Sequence, residues 1–244
     1  MPYAASMKKL LLGSGGIRTA ERLEAWKNEA GDFLKGVSEV VFIPYAGNDH
    51  ASYTQRTVEL DIHPGKKVVG LHTFPDPVKA IEEAQCVSVG GGNTFRLLAT
   101  MQRLGLLPVI RRRALAGMPY VGISAGTNVA CPTIKTTNDM PIVVPAGLDA
   151  LGLVRFQINP HFFPGTVHYY EGAKLEKYAG ETREDRIREF HEMNATPVLG
   201  LFEGSVLRVE NEIMALKGVG GARLFEKNTP PKDIAVGSTV TIVA

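Results

Sequence analysis

The stretch from residue 119 to residue 132 is the feature that most constrains the fold of this chain. An apolar segment leads into Gly122-Ile-Ser124-Ala-Gly126, and a segment compatible with a helix follows. A serine between two glycines at such a junction is typical of a nucleophile elbow, in which a strand turns sharply into a helix and the hydroxyl projects above the sheet edge. The glycines let strand and helix approach without Cβ clashes. We therefore predict a strand–turn–helix unit with Ser124 at the turn. The short pattern alone also fits a strand–helix turn that has no catalytic role.

Length and composition favour one globular α/β domain spanning residues 1–244. The net charge of +2 is too small to indicate nucleic acid or an anionic membrane as a partner. The sequence lacks an apolar run of about 18 residues, so we expect no membrane span. Its cysteines, Cys86 and Cys131, fall in segments predicted to be a buried strand and the elbow helix. A reduced, cytoplasmic enzyme fits them better than a disulfide-linked secreted domain.

Strands and helices are predicted to alternate before the elbow. Apolar, β-branched runs predict strands at 8–12, 40–44, 68–71 and 86–89, and amphipathic segments between them predict helices. This alternation predicts a doubly wound, mostly parallel sheet, with its site at the carboxyl ends of the strands. After the elbow we expect a strand at 154–158 and a helix with Thr182 as N-cap and Asp185 at N3. Short runs at 198–202, 206–209, 212–216, 223–225 and 239–243 predict C-terminal β-hairpins appended to the main sheet.

Two glycine-rich loops leave predicted strand ends. The composition of Gly13-Ser-Gly-Gly16 is like that of a phosphate-binding loop. The segment lacks both the Gly-x-Gly-x-x-Gly spacing and the P-loop lysine. Gly90-Gly-Gly-Asn93 lies where backbone amides can approach the elbow. We predict that Gly91 or Gly92 forms an oxyanion hole with Ala125, the residue after the serine. The alternative is an ordinary turn or an anion-binding nest.

A serine nucleophile requires a base and an acid that orients the base. The predicted base is His161, which ends a strand downstream of the elbow. His168 is a weaker candidate, and the remaining histidines, His50, His63, His72 and His191, are expected at the surface. The residues alone leave Asp139 and Glu203 as alternative acids, because spacing does not determine which carboxylate folds back to the imidazole.

Several longer segments together are more specific for one protein family than the short Gly122-Ile-Ser124-Ala-Gly126 pattern. They are the segment from Gly122 through Asp139 to Val143, the segment 89–95 around Gly90-Gly-Gly-Asn93, Gln157-Ile-Asn-Pro-His161-Phe, and Gly180-Glu-Thr-Arg-Glu-Asp-Arg-Ile187. In this order they resemble serine peptidase family S51, the peptidase E family of α-aspartyl dipeptidases. The resemblance covers most of residues 41–204 and weakens at the N-terminus, at 167–179 and across the C-terminal strands.

The resemblance implies a fold like that of class I glutamine amidotransferases, with serine in place of their cysteine. It implies hydrolysis of dipeptides that begin with L-aspartate, through an acyl-enzyme on Ser124. The family triad falls on Ser124, His161 and Asp139, which favours Asp139 as the acid. Glu203 matches a family glutamate that we would place near the substrate amine.

Selection of aspartate requires a cation for the substrate carboxylate. Arg183, in the first turn of the predicted helix, is the candidate, since guanidinium binds carboxylate with two parallel hydrogen bonds. Alternatively, Arg183 merely belongs to a charged helix face with Arg186 and Arg188. Asn93, in the second glycine-rich loop, is a further candidate for substrate binding.

We expect no cofactor and no metal, because the sequence has no His-x-x-x-His or Cys-x-x-Cys ligand pair. The expected partner is a small Asp-Xaa peptide, with no nucleic acid and no membrane, and a homodimer is left open. Two other functions remain: a cyanophycinase-like exopeptidase that acts on β-linked aspartyl chains, and a non-catalytic module that binds an anion in its glycine-rich loops.

Overall fold

Strands and helices alternate along the first half of the chain, as predicted. A computed structural model describes residues 7–15 and 17–242, so Gly16 lies outside the described residues. The strands are β1 (Lys9–Gly13), β2 (Glu39–Ile43), β3 (Lys67–Gly70), β4 (Val87–Val89), β5 (Tyr120–Ile123), β6 (Gln157–Phe162), β7 (His168–Glu171), β8 (Lys174–Lys177), β9 (Val198–Phe202), β10 (Ser205–Glu210), β11 (Ile213–Gly218), β12 (Ala222–Phe225) and β13 (Lys232–Ile234). The helices are α1 (Ala20–Phe33), α2 (His50–Glu59), α3 (Pro77–Glu83), α4 (Thr94–Arg103), α5 (Leu106–Leu115), α6 (Ala125–Ala130) and α7 (Arg183–Met193).

The main sheet has the strand order β11-β10-β1-β5-β4-β2-β3. The pairs β1–β5, β5–β4, β4–β2 and β2–β3 are parallel, while β10 and β11 extend the sheet in antiparallel fashion beyond β1. Because β1, β5 and β4 are neighbours and parallel, the loops after their carboxyl ends meet at one edge. This edge carries both glycine-rich loops and the elbow.

Alternating side chains along the parallel strands supply two hydrophobic cores, one on each face of the sheet. Leu10 and Leu12 of β1 pack into a large core that includes residues of α3, α4 and α5. Leu11 points to the opposite face, where Trp26 and Phe33 of α1 pack. Coverage of both faces by helices is the arrangement expected of a doubly wound sheet, and the predicted fold class is confirmed.

The C-terminal half departs from a simple extension of the main sheet. Of the C-terminal strands that the structure describes, β10 and β11 join that sheet, whereas β6, β9, β12 and β13 form a second sheet in the order β13-β12-β9-β6. The hairpin β7–β8 pairs with neither sheet. Of the strand predicted at 239–243, the structure has a single bridge from Thr239 to Ala215, and Val243 lies outside the described residues.

The capping box predicted from Thr182 and Asp185 is present at the start of α7. Asp76 likewise caps α3, with Pro77 at the first position of that helix. The strand expected at 154–158 instead begins at Gln157 and runs through Phe162, so His161 lies within β6 rather than after it. No helix in the described ranges is long and apolar enough to cross a membrane.

Candidate active site

Ser124 lies at the turn from β5 into α6 in a strained conformation, with φ 56° and ψ −110°. The flanking glycines are both required by close packing. A Cβ at Gly122 would lie 2.6 Å from the carbonyl oxygen of Gly126, and a Cβ at Gly126 would lie 2.1 Å from that of Val89. The Ser124 amide donates to the Gly13 carbonyl at 3.0 Å, which ties the turn to β1. The predicted nucleophile elbow is confirmed in its geometry.

His161 reaches Ser124 from the second sheet. The pairing of β6 with β9 is irregular between Asn159 and Phe162, and His161 has a φ of 59° within this irregular segment. Bulges of this kind re-aim side chains beside active sites. The imidazole Nε2 lies 2.8 Å from Ser124 Oγ, a distance at which the ring can accept the hydroxyl proton.

Glu203, rather than Asp139, lies behind the imidazole. Its Oε1 is 2.7 Å from His161 Nδ1, at the turn between β9 and β10. The hydrogen bond from His161 is the largest influence that lowers the pKa of Glu203, and the charges of Arg22 and Arg183 act in the same direction, against the effect of burial. Glu203 therefore stays ionised and can hold a proton on Nδ1, so that Nε2 is free to act as base.

Asp139 occupies a different place from the one predicted. Its Oδ2 accepts hydrogen bonds from the Thr94 amide at 2.7 Å, the Thr94 hydroxyl at 2.6 Å and the Thr137 hydroxyl at 3.1 Å. These partners place the carboxylate at the N-terminus of α4, where exposed amides and the helix dipole favour negative charge. Asp139 forms no hydrogen bond with His161 within the described part of the chain. The predicted Ser124–His161–Asp139 arrangement is therefore corrected to Ser124–His161–Glu203.

The imidazole engages Oε1 of Glu203, whereas Oε2 has no hydrogen-bond partner among the described residues, so a place for Glu203 near the substrate amine stays a prediction. Spacing along the sequence left the choice of acid open, and only the resemblance favoured Asp139. The structure decides the choice because β9 lies beside β6 in the second sheet, with Phe202 paired to Phe162. Glu203 and His161 are consequently adjacent, although they are far apart in sequence.

The amides predicted for the oxyanion hole lie close to the serine. A Cβ at Gly91 would lie 3.0 Å from Ser124 Cβ, so the loop after β4 approaches the nucleophile directly. Burial raises the pKa of nearby Tyr53, and the Gly91 amide partly opposes this effect. Among the described residues, the amides of Gly92 and Ala125 donate to no protein acceptor. Those two amides are thus available to a bound oxyanion.

Asn93 has a structural role that the sequence did not indicate. Its side-chain oxygen accepts from the Arg96 amide as the N-cap of α4, and its amide nitrogen donates to the Met140 carbonyl at 2.8 Å. Both polar ends of the side chain are therefore used to fix the loop beside the serine. These contacts do not support a direct role for Asn93 in substrate binding.

Arg183, at the first position of α7, lies near Glu203. Its guanidinium donates to the Pro160 carbonyl at 2.9 Å, next to His161 in the chain. Burial lowers the pKa of Arg183, and the nearby charges of Glu203 and Asp139 partly oppose this effect. The predicted cation is thus half-buried at the edge of the site, whereas Arg186 pairs with Glu181 at the surface.

The other histidines lie outside this constellation. His168 is exposed on β7. His63 is only 1% exposed, and its Nε2 lies 2.8 Å from the hydroxyl of buried Ser88. His191 is buried as well, so the surface position predicted for these two histidines is wrong. Nothing in the charged and turn-rich neighbourhood of His63 signalled its burial. The described residues contain no group of three or more His, Cys, Asp or Glu side chains arranged to hold a metal ion.

Ser14 is the residue near the site that the sequence did not single out. It lies in the first glycine-rich loop, is fully buried, and its hydroxyl accepts a hydrogen bond from the His161 amide at 2.8 Å. The loop itself was visible as Gly13-Ser-Gly-Gly16, but its contact with His161 depends on long-range packing.

Comparisons with known proteins show which family this chain is similar to. The sequence profile described as "Peptidase family S51" matches residues 9–217. A Streptomyces coelicolor protein named "Peptidase E" is 44% identical over 238 residues, which cover 96% of this chain and 94% of that protein. A Drosophila melanogaster protein named "Probable alpha-aspartyl dipeptidase" is 42% identical over 244 residues, with 98% of each chain covered. The crystal structure of a peptidase from an acI-B1 Actinobacterium shares the fold, with a TM-score of 0.68 at 15% identity and 98% of each chain covered.

Proposed function

Because this chain belongs to peptidase family S51, we propose that it is a serine dipeptidase that hydrolyses dipeptides with an N-terminal L-aspartate. The names of its relatives, peptidase E and α-aspartyl dipeptidase, support this substrate class. The observation that carries the proposal is the chain of hydrogen bonds from Ser124 Oγ to His161 Nε2 at 2.8 Å and from His161 Nδ1 to Glu203 Oε1 at 2.7 Å. This is the connectivity of nucleophile, base and orienting acid.

The proposed reaction follows from these positions. His161 takes the proton of Ser124 as the serine oxygen attacks the peptide carbonyl, and Glu203 stabilises the imidazolium that forms. The amides of Ala125 and Gly92 receive the developing oxyanion, with Gly91 as the alternative donor. His161 then returns the proton to the leaving amine. Water, activated by the same imidazole, releases aspartate from the acyl-enzyme.

Arg183 is the proposed recognition group for the substrate carboxylate. Its hydrogen bond to the Pro160 carbonyl fixes the guanidinium beside His161, and its partial burial strengthens an ion pair with substrate relative to one at the surface. Glutamate would carry its carboxylate one methylene too far, and asparagine lacks the charge. Both should therefore be poorer substrates than aspartate.

The test compares hydrolysis of Asp-, Asn- and Glu-p-nitroanilide by the wild type and by Ser124→Ala, with Arg183→Met beside the control Arg186→Met. Ser124→Ala should abolish turnover with an unchanged fold, and near-wild-type activity in this variant would refute the serine mechanism.

Arg183→Met should cost the aspartyl substrate about 2–4 kcal/mol of transition-state binding and reduce the preference for Asp over Asn. Equal losses on both substrates would show that Arg183 is structural. Arg186→Met should retain both activity and preference.

The two other functions predict different results. A cyanophycinase-like exopeptidase would release aspartyl units from β-linked polymer and leave Asp-p-nitroanilide largely intact. A non-catalytic anion-binding module would leave Ser124 unlabelled by a serine-directed acylating reagent. The hydrogen bond between Ser124 and His161 favours a labelled serine.

Cellular location and assembly stay predictions. Cys86 and Cys131 are buried free thiols, and they agree with the cytoplasmic location predicted from the sequence. The homodimer left open by the sequence is testable by sedimentation of the purified protein.

A further inference from the structure

The first glycine-rich loop contacts the catalytic machinery at several points. The structure describes its residues Gly13, Ser14 and Gly15. Ser14 is fully buried between the main sheet and the second sheet. Its hydroxyl accepts from the His161 amide at 2.8 Å and donates to the Leu201 carbonyl at 2.9 Å. A single side chain thus joins the backbone of His161 to β9, the strand that leads to Glu203.

Gly15 packs directly on the catalytic imidazole. A Cβ at this position would lie 2.5 Å from His161 Cε1, and the φ of 129° is one that residues with a side chain rarely adopt. The Gly15 carbonyl accepts from the Gly204 amide at 3.1 Å, immediately after Glu203. Glycine therefore allows the loop to touch the ring and the turn that carries its acid at the same time.

Gly13 completes the set of contacts. Its carbonyl accepts from the Ser124 amide at 3.0 Å and from the Thr127 hydroxyl at 2.7 Å. Consecutive residues of this loop therefore bind the backbone at Ser124, at His161 and beside Glu203. Nothing in these contacts requires a phosphate, and the backbone and hydroxyl groups that bind the catalytic elements are occupied by protein partners.

We propose that this loop is a positioning segment for catalysis, with Ser14 as the positioning residue for His161. The inference rests on the proposed function, since it assigns Ser14 a role through the base of that reaction. His161 has a φ of 59°, a conformation that a histidine keeps only when its surroundings impose it. The Ser14 hydroxyl supplies this constraint by satisfying the His161 amide within the irregular part of β6.

The experiment compares Ser14→Ala with the matched control Ser88→Ala. Ser88 is also fully buried and its hydroxyl also bonds to a histidine, His63, which is not in the proposed mechanism. Both variants should lower Tm. Only Ser14→Ala should lower kcat on Asp-p-nitroanilide, by about 10- to 100-fold with KM changed less than about threefold, because a small displacement of the base affects the chemical step.

A second readout does not depend on substrate. The Nδ1 proton of His161, hydrogen-bonded to Glu203, should give a downfield proton NMR resonance that is absent in His161→Ala. We expect Ser14→Ala to shift or broaden this resonance and Ser88→Ala to leave it unchanged. An unchanged resonance together with wild-type kcat in Ser14→Ala would overturn the proposal, as would equal losses of kcat in the two serine variants.

Gly15→Ala provides an independent test should Ser14→Ala fail to fold. Its control is Gly36→Ala, at a glycine with a φ of 82° and no heavy atom within 4 Å of an added Cβ. Gly15→Ala should disturb the His161 resonance and kcat, whereas Gly36→Ala should affect only Tm; wild-type values in Gly15→Ala would contradict the proposal. If the wild type failed to hydrolyse Asp-p-nitroanilide, the proposed function would fail, and the resonance would still decide the role of Ser14.

Discussion

At the scale of single residues, the site is built on backbone conformations that cost energy. Ser124 and His161 both have positive φ values, 56° and 59°. Each such conformation costs about 1–3 kcal/mol and persists only where surrounding contacts impose it. The Gly13 carbonyl bonds the Ser124 amide, and the Ser14 hydroxyl bonds the His161 amide. Both side chains are therefore held in place without substrate, which in the proposed reaction would lower the reorganisation needed in the transition state.

Glu203→Gln is the prediction that tests the corrected acid. The amide can hold the imidazole ring, but it favours the wrong tautomer and provides no charge to stabilise the imidazolium. We expect kcat to fall by about 10²- to 10⁴-fold with little change in KM. Removal of the negative charge should also move the acidic limb of the pH–kcat profile. A profile and kcat like those of the wild type would exclude Glu203 as the orienting acid.

At the scale of elements, the loop at 137–140 secures the start of α4. Asp139 accepts from the Thr94 amide and hydroxyl, and the Asn93 side chain donates to the Met140 carbonyl. Helix α4 begins directly after the glycines that approach Ser124, so these contacts fix the orientation of the Gly92 amide. In the proposed reaction, Asp139 would thus act through a helix start and a loop rather than through His161.

Asp139→Asn tests this role. The amide keeps the shape of the side chain but loses the charge and offers a donor in place of an acceptor, so the bonds from Thr94 should weaken. We expect Tm to fall, together with a loss of about 1–3 kcal/mol in unfolding free energy, and kcat to decrease while the pH–kcat profile stays in place. Urea denaturation and the pH profile, measured beside Glu203→Gln, distinguish the two carboxylates. A shifted profile in Asp139→Asn alone would restore it as the acid.

Sequence signals predicted the elements whose causes are local. Thr182 marks the start of α7 because capping involves residues only three positions apart. The elbow was predictable for the same reason. The choice between Asp139 and Glu203 was not, because it depends on the pairing of β6 with β9 and on an irregular register within β6. Neither feature leaves a local pattern in the sequence.

At the scale of the whole molecule, the alternation of strands and helices predicted the parallel sheet, whereas the second sheet was missed. The strands β9, β12 and β13 form a second sheet with β6 instead of extending the main sheet. The burial of isolated polar residues could not be predicted from the sequence either. His63 lies against Ser88 at the sheet, with its Nδ1 unpaired among the described residues. Hydrophobic periodicity identifies apolar core positions and gives no signal for a buried histidine.

The burial of His63 predicts how the stability of the protein depends on pH. Burial lowers its pKa to about 4, whereas an exposed histidine in the unfolded chain titrates near 6.5. Between these pH values the unfolded state therefore binds more protons than the folded state. The contribution of His63 to stability is fully present above about pH 6.5 and is lost as the pH falls toward 4. This loss amounts to about 3 kcal/mol. Urea denaturation at pH 7 and pH 5 should show a difference of about 2 kcal/mol that shrinks in His63→Gln. An equal pH dependence in the variant would assign the loss to other groups.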